Sequence, residues 1–435
     1  MKKIILYCVF LGSVAFLPIK PGATWKSDTF AHRHRQFSFQ LLRAVLEQDT
    51  GSTNKLISPL NIYLTAAMLY NGAAHATRDS IAEVLQAEDG SIDAGSLNAQ
   101  CKAFMQRLPL EDNAVQFSIA NSIWYNPKKL TILPDFETIA DQYYYSSVEA
   151  LNLSNHHAEI QINQWVDQNT HHQIPVIIDR THPEDDIYLL GSLYFRSDWR
   201  SPFNPANTTP ELFHLQDGNA RAVPFMHKVE VIRTFSDTAF TMVELPFSAG
   251  GIYSMLIILP ENNRQPLAEW AAGLNAERLD DAMTKMTDQL IDLYLPRWDY
   301  NYAIDDLGGI FTRLGMNIAM TAEDESDFSN MFRPVARTAN GHRPAWISKA
   351  AQRACIRMNE NGMEAAAANT ALEMSGGEPY HQPQRIFRAD HPFLYMLMEK
   401  QQGLMFLAGI VNDPAQTDKA GAPAQPVPAP RKRRR

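Results

Sequence analysis

Two hydrophobic rhythms share this chain, one repeating near every 3.6 residues and one near every two, and their order divides it into elements. QFSFQLLRAVLEQ (36–48) carries apolar side chains at helical spacing. LISPLNIYLTAAMLYNGAAHATRDSIAEVLQ (56–86) predicts a second and a third helix, parted near Asn71 and Gly72. Pro59 follows Ser58, and a proline is tolerated in a first helical turn because its missing N–H has no intrahelical acceptor to lose. FSIANSIWYN (117–126) reads as a strand, IQINQWVDQNTHHQIP (160–175) as a helix, and IYLLGSLYFRSDWRSPF (187–203) as a strand that ends at Trp199, Pro202 and Phe203. Strand character returns in TMVELPF (241–247), SMLIILP (254–260), IDLYLPRW (291–298) and KAAQRACIRM (349–358).

NENGMEAAAANTALEMSG (359–376) breaks both rhythms. One reading is a short surface helix: Asn361 with Glu364 three residues on forms a capping pair, alanine is the best helix former, and Ser375, Gly376 and Gly377 would stop it. Such a helix would bury almost nothing, since Met363, Leu372 and Met374 are its only large apolar side chains. The other reading is a segment able to change state. At period two Met363, Ala365, Ala367, Asn369 and Ala371 line one face, and Glu364, Ala366, Ala368, Thr370 and Leu372 the other. Side chains this small fit between two existing strands.

Composition narrows the function. The 435 residues are 45% hydrophobic and 20% charged, ordinary for a globular chain, and no Gly/Ser- or Pro-rich linker divides them, so one large domain over 24–416 is expected. A formal charge of −9 argues against a general nucleic-acid binder, which needs a basic face. Lys2 and Lys3 before an apolar run from Ile4 to Leu17 predict a secretory signal peptide within 1–23, hence a secreted or extracytoplasmic protein without a transmembrane segment in its mature form. Cys101 and Cys355 are then the remaining cysteines, two free thiols. The Pro/Ala-rich stretch 417–435, ending in five cations, reads as a disordered tail. No carboxylate or cysteine stands at a ligand spacing that would complete a site with the histidines at 156, 157, 171 and 172, so no metal or other cofactor is expected. No G-x-S-x-G, H-E-x-x-H, C-x-x-C, G-x-G-x-x-G or phosphate-loop motif is present, which argues against an enzyme.

Glu360, Gly362, Glu364 and the run Ala365, Ala366, Ala367 and Ala368 resemble the hinge and reactive loop of the serpins, where an acidic residue, a glycine and a glutamate precede an alanine run. The resemblance extends over 35–414 in the family's order. Ser58, Pro59, Leu60, Ile62, Gly72, Ala73 and Thr77 match one segment, and Asn163, Trp165, Val166, Thr170 and Ile174 a second. Tyr194, Phe195, Trp199, Pro202 and Phe203 match a third, followed by LGM (314–316), DFSNM (327–331), ADHPFLYML (389–397) and LMFLAGIVNDP (404–414). It implies an α+β serpin fold: helices with a large central five-stranded sheet, two further sheets and an exposed reactive loop at about 360–386, in a monomer.

The resemblance also implies a suicide substrate. A target endopeptidase attacks the loop, and the cut arm inserts into the central sheet before the acyl-enzyme is hydrolysed. Family spacing puts the cut between Gly376 and Gly377, with Met374 and Ser375 as the alternative. These residues suit an elastase-like, chymotrypsin-like or subtilisin-like serine protease, or a papain-like cysteine protease. Met363 replaces the usual small residue at the first position to insert, which implies slower insertion, and Asn369 stands where threonine is usual. In the region that must part, the family's Ser, Asn and His are Asn61, Gly191 and Gln352 beside Ser58, a set that loses one amide and gains two. Trp199 is expected beneath the loop's entry point. Only Lys102 and Arg107 mark the helix where some relatives bind polyanions, so glycosaminoglycan activation is not expected. The competing class is a non-inhibitory serpin-fold binding or chaperone protein.

Overall fold

The strand Ile187–Asp198 runs through the middle of a six-stranded sheet, and its neighbours set up the functional site. A computed structural model describes residues 29–86, 92–111, 114–155, 157–262, 264–320, 326–335, 345–363 and 385–416 of the chain. The expected signal peptide and tail lie outside these residues. Across the sheet the order is Trp298–Ile304, Ile347–Met358, Gly362–Met363, Ile187–Asp198, Gln116–Tyr125 and Ser147–Ala150. Five of these strands match the expected central sheet, and the sixth is a dipeptide wedged in at one end. Below it, Ile347–Met358 and Ile187–Asp198 pair directly and in parallel, from Ile347 opposite Ile187 to Ala354 opposite Leu193. Above that point they diverge, and Gly362–Met363 fills the gap.

A nine-stranded sheet packs behind, in the order Lys55–Ile57, Leu404–Val411, Phe393–Glu399, Tyr253–Pro260, Phe240–Pro246, Ala220–Ser236, Thr287–Pro296 and Arg385–Arg388, with Thr209–His214 also on Ala220–Ser236. Phe332–Pro334 and Leu130–Ile132 make a third, two-stranded sheet.

Between the two large sheets lies the helix Pro59–Gly72, buried at every residue except Asn71. A helix apolar on all sides has no solvent face to offer, so PLNIYLTAAMLYNG belongs inside. Its start is fixed by Ser58, whose Oγ accepts from the Asn61 N–H at 3.4 Å. On the opposite face of the six-stranded sheet the helix Ala158–Asn169 packs Ile162 and Val166 against Trp124, Tyr188 and Leu190. The sequence pattern carried this helix on to 175. It stops at Asn169 because His171 and His172 both adopt positive φ (51° and 64°), which ends the helical ladder. Among the described residues no helix is long and apolar enough to cross a membrane.

Candidate functional site

Two clusters of sequence-predicted residues meet the strand Ile187–Asp198, one at its end and one at its middle. At the end sits the segment expected to act as a hinge. Gly362 pairs with Asp198 and Met363 with Ser197, both antiparallel, while Met363 also pairs with Met358. Glycine is required at 362: its φ is +153°, and a Cβ there would stand 2.2 Å from the Ser197 carbonyl oxygen. Met363, expected to delay the first step of insertion, is 1% exposed and already packed in the core.

The chain before the hinge is tied down on both sides. Trp199 donates its indole N–H to the Asn359 carbonyl (3.0 Å) and its backbone N–H to that of Asn361 (2.7 Å), and it stacks on Phe247 with centroids 4.5 Å apart. The Phe203 N–H donates to the Glu360 carbonyl at 2.9 Å. Glu360 itself is buried, and its carboxylate accepts from Arg297 Nε at 2.8 Å, from Arg297 Nη2, and from Thr208 Oγ1 at 2.5 Å. Burial alone would raise this carboxyl. The hydrogen bonds from Arg297 and Thr208 outweigh it and hold the group below the usual glutamate range.

At the middle of the strand lies a closed amide network beneath the parallel ladder. Gln352 accepts from the Ser58 N–H at 3.0 Å and donates through Nε2 to the Ser58 carbonyl (3.3 Å) and to Asn61 Oδ1 (3.0 Å). Asn61 Nδ2 donates in turn to Asn121 Oδ1 (2.8 Å) and the Ser192 carbonyl (3.1 Å), while Ser58 Oγ reaches the Phe406 carbonyl at 3.0 Å. Thr65 Oγ1 adds a bond to Asn121 at 3.2 Å. Gly191 makes room for all of this, because a Cβ at 191 would lie 2.2 Å from Asn61 Oδ1. Asn121 Nδ2 has no hydrogen-bond partner among the described residues.

Ser58, Asn61, Gly191 and Gln352 are thus brought together, and Trp199, Glu360, Gly362 and Met363 form the second group. Glu364, Ala365, Ala366, Ala367, Ala368, Met374, Ser375, Gly376 and Gly377 lie outside the described residues. Sequence reasoning did not single out Asn121, Thr65, Thr208 or Arg297. Thr65 was detectable as a polar residue in an apolar run one helical turn after Asn61; for Asn121, Arg297 and Thr208 no local signal exists. Cys101 is buried, and burial pushes its thiol up to about 12, which leaves it unreactive. Among the described residues no group of three or more His, Cys, Asp or Glu could hold a metal ion.

The family profile described as Serpin (serine protease inhibitor) matches residues 32–414. An uncharacterized serpin-like protein of Thermococcus kodakarensis is 26% identical, over 87% of this chain and 84% of its own length. Neuroserpin of Mus musculus is 26% identical, over 95% and 98% respectively. Among solved structures, the thermophilic serpin tengpin in the native state superposes with a TM-score of 0.79 at 24% identity, covering 92% of this chain and 96% of that one. Thyroxine-binding globulin in complex with thyroxine gives 0.78 at 21% identity, covering 89% and 100%.

Proposed function

The chain belongs to the serpin family, whose members are generally protease inhibitors rather than catalysts, and on that premise we propose that it is an irreversible suicide-substrate inhibitor of endopeptidases. The observation that carries this reading is the dipeptide Gly362–Met363, which starts a new antiparallel strand between two strands that are otherwise paired to each other. The register it sets is specific. Continued residue by residue, it brings Glu364 between Arg357 and Arg196, then Ala365 between Ile356 and Phe195, and Ala367 between Ala354 and Leu193. Asn369 arrives between Gln352 and Gly191, the pair that now faces each other across the parallel ladder.

Those destinations suit the arriving residues. Glu364 meets two guanidinium groups on the face away from the core. Small alanines meet the bulk of Phe195 and Leu193. Asn369 brings an amide to the one position where this chain has Gly191, and Asn121 Nδ2 is a donor awaiting an acceptor there. The departures from family pattern at 61, 191, 352 and 369 therefore read as one set.

In the reaction, the protease nucleophile bonds to the Gly376 carbonyl carbon and the peptide that begins at Gly377 leaves as the amine. The freed arm from 364 to 376 threads into the sheet, carrying the acyl-enzyme about 43 Å at roughly 3.3 Å per residue. Export to an extracytoplasmic compartment and action as a monomer complete the reading.

Incubation with elastase-like, chymotrypsin-like, subtilisin-like, trypsin-like and papain-like proteases tests it. A detergent-resistant adduct should form with an enzyme that accepts small or medium apolar residues, and mass spectrometry should find the released peptide beginning between Ser375 and Glu378. A released peptide beginning at Ile386, or cleavage by every enzyme without an adduct, rejects it. The second outcome supports a non-inhibitory binding protein, as thyroxine-binding globulin, a neighbour of the same fold, is found in complex with thyroxine.

A further inference from the structure

Beside Trp199 a cleft of about 170 Å³ opens between the strand Ala220–Ser236 and the segment that holds the hinge. Its cations outnumber the carboxylates that reach them. Glu244, 1% exposed, accepts from Arg233 Nη1 at 3.0 Å and Lys400 Nζ at 2.5 Å, as well as from Ser254 Oγ. Lys228 Nζ lies 2.7 Å from Glu230 and 2.7 Å from the Ser201 carbonyl, and it also sits 4.5 Å from the centre of the Phe203 ring. Its side chain is only 14% exposed, and burial lowers the amine from the usual lysine range against the pull of Glu230.

Arg200 donates through Nε to the Ser248 carbonyl at 3.4 Å and lies over Gly251, where a Cβ would collide with its guanidinium. Its two terminal amino groups have no partner among the described residues. Asp288 lies exposed among the lining residues. The apolar lining that reaches the surface is the exposed Val231 and the half-buried Pro246, with Ile232 and Leu245 buried behind them. Two lysines and two arginines face three carboxylates in this lining, and Arg200 is the cation without a carboxylate partner among the described residues, which makes the cleft locally positive in a chain of net charge −9.

We propose that this cleft binds a small organic carboxylate, its anionic head taken by Lys228 and Arg200 and its apolar body laid against Val231 and Pro246. The head would bridge the strand Ala220–Ser236 to residues 200 and 201, immediately beside the Trp199 and Phe203 amides that hold the hinge. Occupancy therefore fastens the segment that hinge release has to loosen. The binding claim is independent of protease trapping, and its test does not use a protease.

Titration of the full chain with benzoate by calorimetry, at fixed ionic strength with sulfate in parallel, decides it. Saturable one-site binding is expected, weakened about tenfold by Lys228→Met and by the exposed change Arg200→Ala, and tightened several-fold by Asp288→Asn. A merely structural role for these residues would not give opposite signs. Hydrogen exchange at the Trp199 and Phe203 amides should slow when benzoate is bound. No saturable binding, equal binding of sulfate, or affinity unchanged in Arg200→Ala and Asp288→Asn overturns the proposal, and those two surface changes remain informative even if Lys228→Met does not fold.

Discussion

Gly191 shows how much one missing methyl group decides. With Asn61 Oδ1 only 2.2 Å from where its Cβ would be, Gly191→Ala must displace the carboxamide that Gln352 donates to and break a buried bond. Crowding plus a lost buried hydrogen bond should cost about 2–4 kcal/mol in denaturant unfolding. Adding Asn61→Ser should restore part of that, because the shorter side chain vacates the space, whereas simple additivity of the two changes would mean that they do not interact. Gln352→Ala leaves the Ser58 N–H without its acceptor and should lower the unfolding midpoint as well; an unchanged midpoint would count against the network. At this scale the sequence was half legible. An amide lost at 191 and amides gained at 61 and 352 announced a rewired set by comparison with the family, but nothing local marked Asn121 as its fourth member, since strand periodicity cannot say which polar residue lies over which helix.

The hinge strand and the turn at Trp199 act as one element, clamped by a single buried carboxylate. Glu360 lies below its ordinary range, so its contribution is present above the usual glutamate value and is lost as pH falls through the lowered one. Glu360→Gln should therefore cost on the order of 1–2 kcal/mol near neutral pH, a figure discounted for the partly exposed Arg297, and nothing once wild type is itself protonated. Unfolding midpoints of the two proteins should converge as pH drops below about 4; a constant gap would show that the charge is not what Arg297 recognises. Elements were the most legible level: the strands read at 117–126, 187–203 and 349–358 and the buried helix after Ser58 all follow from periodicity, although the second strand ends at Asp198. The helix from 158 ends six residues short of its pattern because two histidines take left-handed backbone angles that no periodicity encodes. The helical reading of 361–376 gives way at its start, where Gly362 and Met363 are strand.

For the whole molecule, the proposed rearrangement has a starting point in the sheet itself. Seven residue pairs between Ile187–Asp198 and Ile347–Met358 hold the centre in parallel, the slightly weaker arrangement, and the hinge above them already shows the antiparallel alternative. Arm insertion along that register would replace the one parallel ladder at the centre with two antiparallel ladders, while the pairings of Trp298–Ile304 and Gln116–Tyr125 with these strands stay as they are. On the proposed inhibitory reading, what protects the present arrangement is a barrier, made of the amide network and the buried clamp at Glu360, and not a lower free energy. Material cut within 374–378 should accordingly melt at least roughly 10 °C above intact material, a shift that corresponds to several kcal/mol in a chain of this size. Asn369→Leu should reduce that gain, because it would bring an apolar side chain to the amides of Gln352, Asn61 and Asn121. An equal gain in both proteins would mean that the arm does not follow the register set by Gly362–Met363, and no gain in either would mean that the centre of the sheet never opens.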